Sequence, residues 1–222
     1  MADRTDPNRE RRPDRPWYRY ANLLLPSRES AGLWVDIGCG RGELIDLAGR
    51  SGLAGMGLDM ERDGLRDLQR TGRPVLVADL GESLPFRDAA LDGVTFVEVI
   101  EHIVHAEDLL AELARVIRPG GWIVITTPNV AHLTYRVRAL TGHPPKQEGY
   151  HYRFFTRKTL AQALVGAGFV PEDAASFGKS LVLSKWGRLM GKGAKYKVRY
   201  RVPRSLEALF AQHFVWRFRR ES

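Results

Sequence analysis

Residues 35–42 read VDIGCGRG, and this stretch decides the fold because an apolar run passes directly into a glycine-rich turn. Further along the chain, apolar runs typical of strands alternate with stretches that have helical spacing. The predicted strands cover 33–37, 54–59, 75–79, 93–99 and 122–127, and the predicted helices between them cover 43–50, 61–70 and 106–117. Strands separated by helices of this length predict an α/β fold with a doubly wound, mainly parallel sheet.

The later part of the chain has a weaker pattern. Helices are predicted over 130–140 and over 156–166, with Thr156 as the N-cap of the second. A loop covers 141–152, and the last strands are expected from Phe169 onward and over 180–184. Apolar residues at helical spacing predict a final helix over 206–218.

The composition predicts one α/β domain with extensions at both ends. The 222 residues are divided into a disordered N-terminal arm (1–20), whose aromatic end begins a helix near Trp17, a core α/β domain (21–185) and a basic, aromatic C-terminal extension (186–222). The sequence contains no apolar run of about 18 residues, so no membrane-spanning helix is predicted. The N-terminus also lacks the apolar core of a signal peptide. Cys39 is the single cysteine, which favours a cytoplasmic protein.

The net charge of +8 resides in the C-terminal extension. Residues 186–222 contain ten basic and two acidic residues, whereas residues 1–185 contain 24 of each. Basic and aromatic residues mixed in this way suit either RNA or an anionic membrane surface, and peripheral membrane contact is the favoured of these two interpretations. The alternative is a solvated segment followed by a helix that packs on the body.

The glycines of the turn have the spacing G-x-G-x-G rather than the G-x-G-x-x-G of dinucleotide sites. The third glycine of that fingerprint would fall at position 43, which is Glu43. A carboxylate at the start of a helix disfavours a pyrophosphate. The turn therefore predicts a cofactor without phosphates.

Acidic residues follow the neighbouring predicted strands. Asp59 ends the second strand and can accept both hydrogen bonds of a ribose diol. Asp79 ends the third and can meet an adenine amine, with Leu80 against the base, while Asp36 can face a cationic ammonium group. The full set of predicted cofactor-binding residues is Asp36, Gly38, Cys39, Gly40, Gly42, Asp59, Met60, Asp79, Leu80 and Glu98.

Five stretches together resemble the class I S-adenosylmethionine-dependent methyltransferases over roughly residues 30–185. They are DIGCGRG at 36–42, GLD at 57–59, ADL at 78–80 with LPF at 84–86, LDGV at 91–94 and RPGG at 118–121. The resemblance implies a Rossmann-like sheet of seven strands, mostly parallel with one antiparallel strand, and S-adenosylmethionine as cofactor. It also implies that the chain is an enzyme.

A second group of residues follows the fourth predicted strand. Glu98, Glu101 and His102 share one face if a helix begins near Glu98, and His151 comes later, before another predicted helix. Two carboxylates and two imidazoles predict a divalent cation site, with Mg²⁺, Mn²⁺ or Zn²⁺ as candidates. Alternatively, His102 or His151 is a general base, or Glu98 contacts the cofactor while its neighbours form only local hydrogen bonds.

This second group resembles two branches of the family. Ubiquinone-biosynthesis O-methyltransferases and small-RNA 2′-O-methyltransferases both carry Glu-x-x-Glu-His and a later histidine, matched here by Glu98, Glu101, His102 and His151. In the RNA branch, an acidic-aromatic pair usually stands where this chain has Phe154-Phe155. The resemblance implies catalytic roles for Glu101, His102 and His151.

Together these features predict O-methylation of a small-molecule or lipid-linked acceptor. The first alternative is a metal-dependent RNA 2′-O-methyltransferase, with RNA as the partner of the basic extension. The second is a non-catalytic module that binds the cofactor and regulates a partner.

Overall fold

The computed structural model describes residues 15–143, 151–179 and 199–222. Several predicted features lie outside these residues. They are most of the N-terminal arm, part of the loop over 141–152, the strand over 180–184 and the first part of the C-terminal extension.

Five parallel strands form the first part of a single sheet. They are β1 (Trp34–Ile37), β2 (Met56–Asp59), β3 (Val75–Val77), β4 (Leu91–Val97) and β5 (Ile117–Pro128). Their order in space is β3-β2-β1-β4-β5. The connection from β3 to β4 therefore crosses to the other side of β1, and this topological switch point is where open α/β sheets bind ligands.

Helices cover both faces of the sheet. They are α1 (Pro16–Asn22), α2 (Arg28–Ala31), α3 (Glu43–Gly49), α4 (Arg62–Gln69), α5 (Ala106–Val116), α6 (Leu133–Leu140), α7 (Arg157–Gly166) and a short helix at Glu207–Phe210. Side chains of α3 and α4 belong to one hydrophobic cluster, and those of α5 and α7 belong to a second. The predicted N-cap is confirmed, because Thr156 and Thr159 form a reciprocal capping box. No helix in the described ranges is long and apolar enough to cross a bilayer.

The remaining described strands complete the sheet. They are β6 (Phe169–Ala174), β7 (Phe177–Lys179), β8 (Arg199–Arg201) and β9 (His213–Arg220). Strand β9 pairs antiparallel with both β5 and β6, so β6 runs in the same direction as β5. Strands β1–β6 and β9 thus form the predicted seven-stranded sheet with one antiparallel strand, and the predicted fold class is confirmed. The short strands β7 and β8 extend it beyond β9.

The single helix predicted over 206–218 is wrong, because helical structure ends at Phe210 and the residues from His213 onward form β9. Phe214, Trp216 and Phe218 are buried, whereas Arg219 is exposed, so the terminal half of the strand alternates with a period of two. The predicted domain limits change accordingly. Part of the predicted extension lies within the sheet, and Pro16–Tyr20 of the predicted arm belong to α1, which contacts α3 and β9.

Cations in the described part of the C-terminal segment have partners within the protein. Arg201, Arg204, Arg217 and Arg220 each donate to a backbone carbonyl outside this segment. Arg217 also pairs with Glu172 at 2.8 Å. These hydrogen bonds help attach the C-terminal strands to the rest of the protein.

Replacing Phe218 by alanine tests the assignment of β9 to the core. Phe218 is 1% exposed, and we expect the Phe218→Ala variant to lose about 3–5 kcal/mol of unfolding free energy in denaturant titrations. The matched control is Arg219→Ala, one residue further along the strand and exposed, for which a change within about 0.5 kcal/mol is expected. Equal, small effects of both substitutions would contradict the assignment.

Candidate active site

The glycine-rich turn leaves β1 at the carboxyl edge of the sheet. Gly38, Gly40 and Gly42 have φ angles of 71°, 54° and 79°, in the left-handed region that favours glycine. A Cβ atom added to Gly38 would lie 2.5 Å from Cγ2 of Val99, which follows β4. The turn therefore needs glycine, and it packs directly against the segment that carries the second group of predicted site residues.

Asp59 joins the end of β2 to this turn. Its Oδ2 atom accepts a hydrogen bond of 2.8 Å from the backbone N–H of Gly40, and Oδ1 accepts one of 2.9 Å from Glu61. A carboxylate has about four acceptor sites, so capacity for further donors remains. The side chain is half-buried, and the adjacent Met60 is 53% exposed. Both predicted residues thus lie beside the turn.

Asp36 is a buried acid beneath the turn. It is 2% exposed, and Oδ1 accepts a 2.6 Å hydrogen bond from Thr95 of β4. Burial raises the pKa of Asp36 to about 7. The nearby Cys39 is also buried, and burial raises the pKa of its thiol, so this cysteine packs as a neutral side chain and is not a thiolate nucleophile.

Asp79 and Leu80 follow β3, one strand further from β1. Asp79 is exposed and accepts a 2.9 Å hydrogen bond from the backbone N–H of Gly81. Leu80 is half-buried and packs against the core. The order β3-β2-β1 places Asp79, Asp59 and the glycine turn in succession along one edge of the sheet.

Glu98 follows β4 and does not occupy the predicted helical face. Its φ angle is 55°, in the left-handed region, and only a 3₁₀ turn at Ile100–His102 follows. Oε1 accepts a 2.8 Å hydrogen bond from Thr126, and Oε2 lies 2.9 Å from Nδ1 of His213. Non-glycine residues in this conformation are strained and concentrate at functional sites.

The structure brings together three of the four predicted metal ligands. Glu101, His102 and His151 each have a ligand atom within 4.8 Å of those of the others, whereas Glu98 is outside this group. The prediction of Glu98 as a ligand is corrected, because the left-handed turn directs its carboxylate towards His213.

Backbone contacts hold the group in place. The carbonyl of Glu101 accepts hydrogen bonds from the N–H groups of Tyr152 and Arg153, which brings His151 beside His102 with ring centroids 4.9 Å apart. The Glu101 carboxylate is 2% exposed and accepts a 3.0 Å hydrogen bond from Thr127. Burial, assisted by the charge of Glu98, raises the pKa of Glu101 well above its usual range.

These ligands fit a divalent cation. One carboxylate and two imidazoles form the donor set common to Zn²⁺, Mn²⁺ and Fe²⁺ sites, and a cation would compensate the cost of burying an ionised Glu101. Because Glu98 is outside the group, the set contains less oxygen than the sequence suggested and suits Mg²⁺ less well.

A cavity of about 140 Å³ adjoins this group. Its lining residues are Glu101, Pro128, Val130, His132, Tyr135, His151, Arg153, Phe154, Gln212 and His213. Segments after β4 and β5, the loop before α7 and the start of β9 all contribute. The volume suits a small group rather than a folded polymer.

The sequence pattern does not indicate His213 as a site residue. His213 lines the cavity and contacts Glu98, although the two residues are 115 positions apart. Only the recognition of β9 as a strand that begins at the sheet's carboxyl edge would have indicated His213.

Comparisons with known proteins agree with this architecture. A family described as methyltransferase domain matches residues 8–173. The mitochondrial ubiquinone biosynthesis O-methyltransferase of Mus musculus is 28% identical over 165 residues, and a probable S-adenosylmethionine-dependent methyltransferase of Mycolicibacterium smegmatis is 30% identical over 162. The alignments cover 68% and 71% of this chain but only 45% and 60% of those proteins.

Solved structures support the fold. An S-adenosylmethionine-dependent methyltransferase from Archaeoglobus fulgidus gives a TM-score of 0.65 at 20% identity, covering 91% of this chain and 92% of its own. A possible histamine N-methyltransferase from Thermotoga maritima gives 0.62 at 20% identity, covering 91% and 86%. The family match, which spans most of the chain, shows that it belongs to the methyltransferase-domain family.

Proposed function

We propose that this enzyme transfers a methyl group from S-adenosylmethionine to a hydroxyl oxygen of a small or lipid-linked acceptor. The observation that carries the proposal is that Glu101 and His151 of the Glu101–His102–His151 group line a cavity of about 140 Å³. Several relatives are named as ubiquinone biosynthesis O-methyltransferases, which supports an oxygen acceptor.

The methyl donor would lie along the carboxyl edge of β3, β2 and β1. Asp79 and Leu80 would meet the adenine, and Asp59 would accept the ribose hydroxyls. The glycine turn and Asp36 would hold the cationic amino-acid end. Val99 packs on Gly38, so the segment after β4 lies beside this end of the cofactor.

Glu101, His102 and His151 would hold a divalent cation beside the acceptor. When bound, the cation lowers the pKa of a hydroxyl group and favours its ionised form. The chain itself contributes orientation, because Thr127 fixes the Glu101 carboxylate and the Glu101 carbonyl fixes the loop that carries His151. Two neighbouring hydroxyls, as in a catechol, would suit this site best.

The proposed acceptor also suggests where in the cell the enzyme acts. A lipid-linked acceptor would be met by a cytoplasmic enzyme at the membrane surface, with basic side chains of the C-terminal segment near anionic headgroups. Four arginines of the described part also donate hydrogen bonds to backbone carbonyls within the protein.

Metal removal tests whether methylation requires a bound divalent cation. We expect dialysis against EDTA to lower methylation of catechol, measured with radiolabelled S-adenosylmethionine, and added Mn²⁺ or Zn²⁺ to restore it. The His151→Ala variant should bind the metal at least about 10-fold more weakly. The His105→Ala variant, altered at an exposed histidine outside the group, should behave as wild type.

Three outcomes would contradict parts of this proposal. Full activity in metal-free protein would show that the reaction needs no cation, but it would not contradict the proposed class of acceptor. Methylation of an RNA 3′-terminal diol without methylation of catechols would replace the small acceptor by RNA. Cofactor binding without turnover on either probe would favour a regulatory module.

The pH dependence of cofactor binding tests Asp36. A carboxyl group with a pKa of about 7 is ionised above that pH and neutral below it, so attraction for the cationic cofactor is lost as pH falls through 7. Calorimetry should give a dissociation constant about tenfold larger at pH 6 than at pH 8.

The Asp36→Asn variant is the control, because the cofactor titrates identically with both proteins. Its affinity should be weaker at pH 8, and the difference from wild type should disappear towards pH 6. Parallel pH profiles for the two proteins would show that Asp36 does not interact with the cofactor's charge.

A further inference from the structure

His213 and Glu98 form a hydrogen-bonded pair at the carboxyl edge of the sheet. Nδ1 of His213 lies 2.9 Å from Oε2 of Glu98 and 3.1 Å from Oε1. Oε1 also accepts a 2.8 Å hydrogen bond from Thr126. An ionised carboxylate can only accept hydrogen bonds, so this contact with an ionised Glu98 requires a proton on Nδ1. In the neutral tautomer that satisfies it, Nε2 keeps its lone pair.

Nε2 is left available for a ligand. Within residues 15–143, 151–179 and 199–222, the hydrogen bonds of the His213 ring all use Nδ1. The same residue lines the cavity with Glu101 and His151. A carboxylate that orients an imidazole on the wall of a cavity is the arrangement of a general base.

Aromatic rings fix the plane of this imidazole. Phe177 stacks on it at 5.2 Å between centroids and 8° between planes, and Trp17 of α1 lies at 5.3 Å and 33°. Rings on a protonated imidazole stabilise its positive charge through the π face. The packing thus fixes the orientation of the His213 ring.

The backbone of Glu98 is held for the same contact. Its φ angle of 55° is strained for a non-glycine residue, yet its N–H group donates to both the carbonyl and the hydroxyl oxygen of Thr126. These two hydrogen bonds hold the strained backbone conformation of Glu98. In this conformation the Glu98 carboxylate contacts His213, the first residue of β9. Strain maintained in this way is common where a side chain must be positioned for chemistry.

We propose that His213, oriented by Glu98, is the general base that takes the proton from the acceptor hydroxyl. The proposal rests on the hydroxyl acceptor of the proposed function. The O–H bond breaks and its proton passes to Nε2, while the oxygen lone pair forms the new O–CH₃ bond. The S–CH₃ bond breaks with its electron pair remaining on sulfur. The products are a methyl ether, neutral S-adenosylhomocysteine and a protonated His213, which releases its proton to solvent.

The cation site and the base have separate tasks in this scheme. Glu101, His102 and His151 would bind and polarise the acceptor, whereas His213 would remove its proton. Loss of either group should therefore lower turnover through a different step. The distinction makes His213 testable without knowing the metal.

The first experiment needs no acceptor. Protein with ¹⁵N-labelled histidine, bound to S-adenosylhomocysteine, should show His213 as the Nδ1–H tautomer, with an unprotonated Nε2 that reacts with diethyl pyrocarbonate. The Glu98→Gln variant should lose the tautomer preference. Finding the proton on Nε2 of the neutral ring, or an Nε2 atom that does not react, would overturn the proposal whether or not an acceptor is methylated.

The second experiment measures turnover of catechol by the full chain in the presence of metal. His213→Ala should lower kcat by about 10²–10⁴-fold, with little change in the KM for catechol or the dissociation constant for S-adenosylmethionine. Added imidazole should restore part of the rate to His213→Ala but not to Glu98→Gln. His105→Ala is the control for loss of a histidine and should keep wild-type kcat.

The outcomes separate this proposal from the proposed function. If wild-type protein methylates no catechol, the acceptor class is wrong and the tautomer measurement still decides on His213. Catechol turnover that is insensitive to His213→Ala, or a loss that imidazole does not restore in folded protein, would exclude His213 as the base. If His213→Ala does not fold, His213→Gln is measured against the same criteria.

Discussion

The register between β5 and β9 is the constraint on which the acceptor side of the site depends. This ladder pairs Pro128 with His213 and Thr126 with Val215. Val97 at the end of β4 pairs with Thr126 in parallel, so the end of β4 is aligned with the start of β9 across β5. A slip of one residue would reverse the faces of the strand and remove His213 from Glu98. The last strand of the chain thus completes both the core and the site.

Consecutive threonines at the end of β5 give two nearby carboxylates different environments. Thr126 donates to Glu98, which is partly accessible and paired with His213, whereas Thr127 donates to Glu101, which is fully buried. Successive side chains of a strand point to opposite faces, so one dipeptide can serve two acids in separate surroundings. Enzymes commonly place two neighbouring acids in different environments so that the two side chains take different roles, such as binding and proton transfer.

The parts of the fold that depend on local sequence were predictable, and those that depend on distant pairing were not. The glycine turn and the strands beside it follow from short-range apolar patterns, and the structure and family match confirm the fold and the family. Around the start of β9, apolar residues at 206, 209, 210 and 214 fit one continuous helix, and only Phe214, Trp216 and Phe218 signal alternation. The Glu98–His213 contact spans 115 residues, so no local pattern contains it.

The charge balance of the reaction connects the two sides of the site. Asp36, Glu43 and Glu98 lie close enough to Tyr18 that their charges, after the larger effect of burial, raise the pKa of its phenol. Such an acidic region stabilises the cationic methyl donor, and it would oppose transfer if the positive charge simply disappeared when the sulfonium becomes a neutral thioether. Proton uptake by His213 removes this difficulty, because the positive charge moves from sulfur to an imidazole that Glu98 and two aromatic rings already stabilise. The Glu98–His213 pair would therefore let the same carboxylates favour both the binding of S-adenosylmethionine and the transfer of its methyl group.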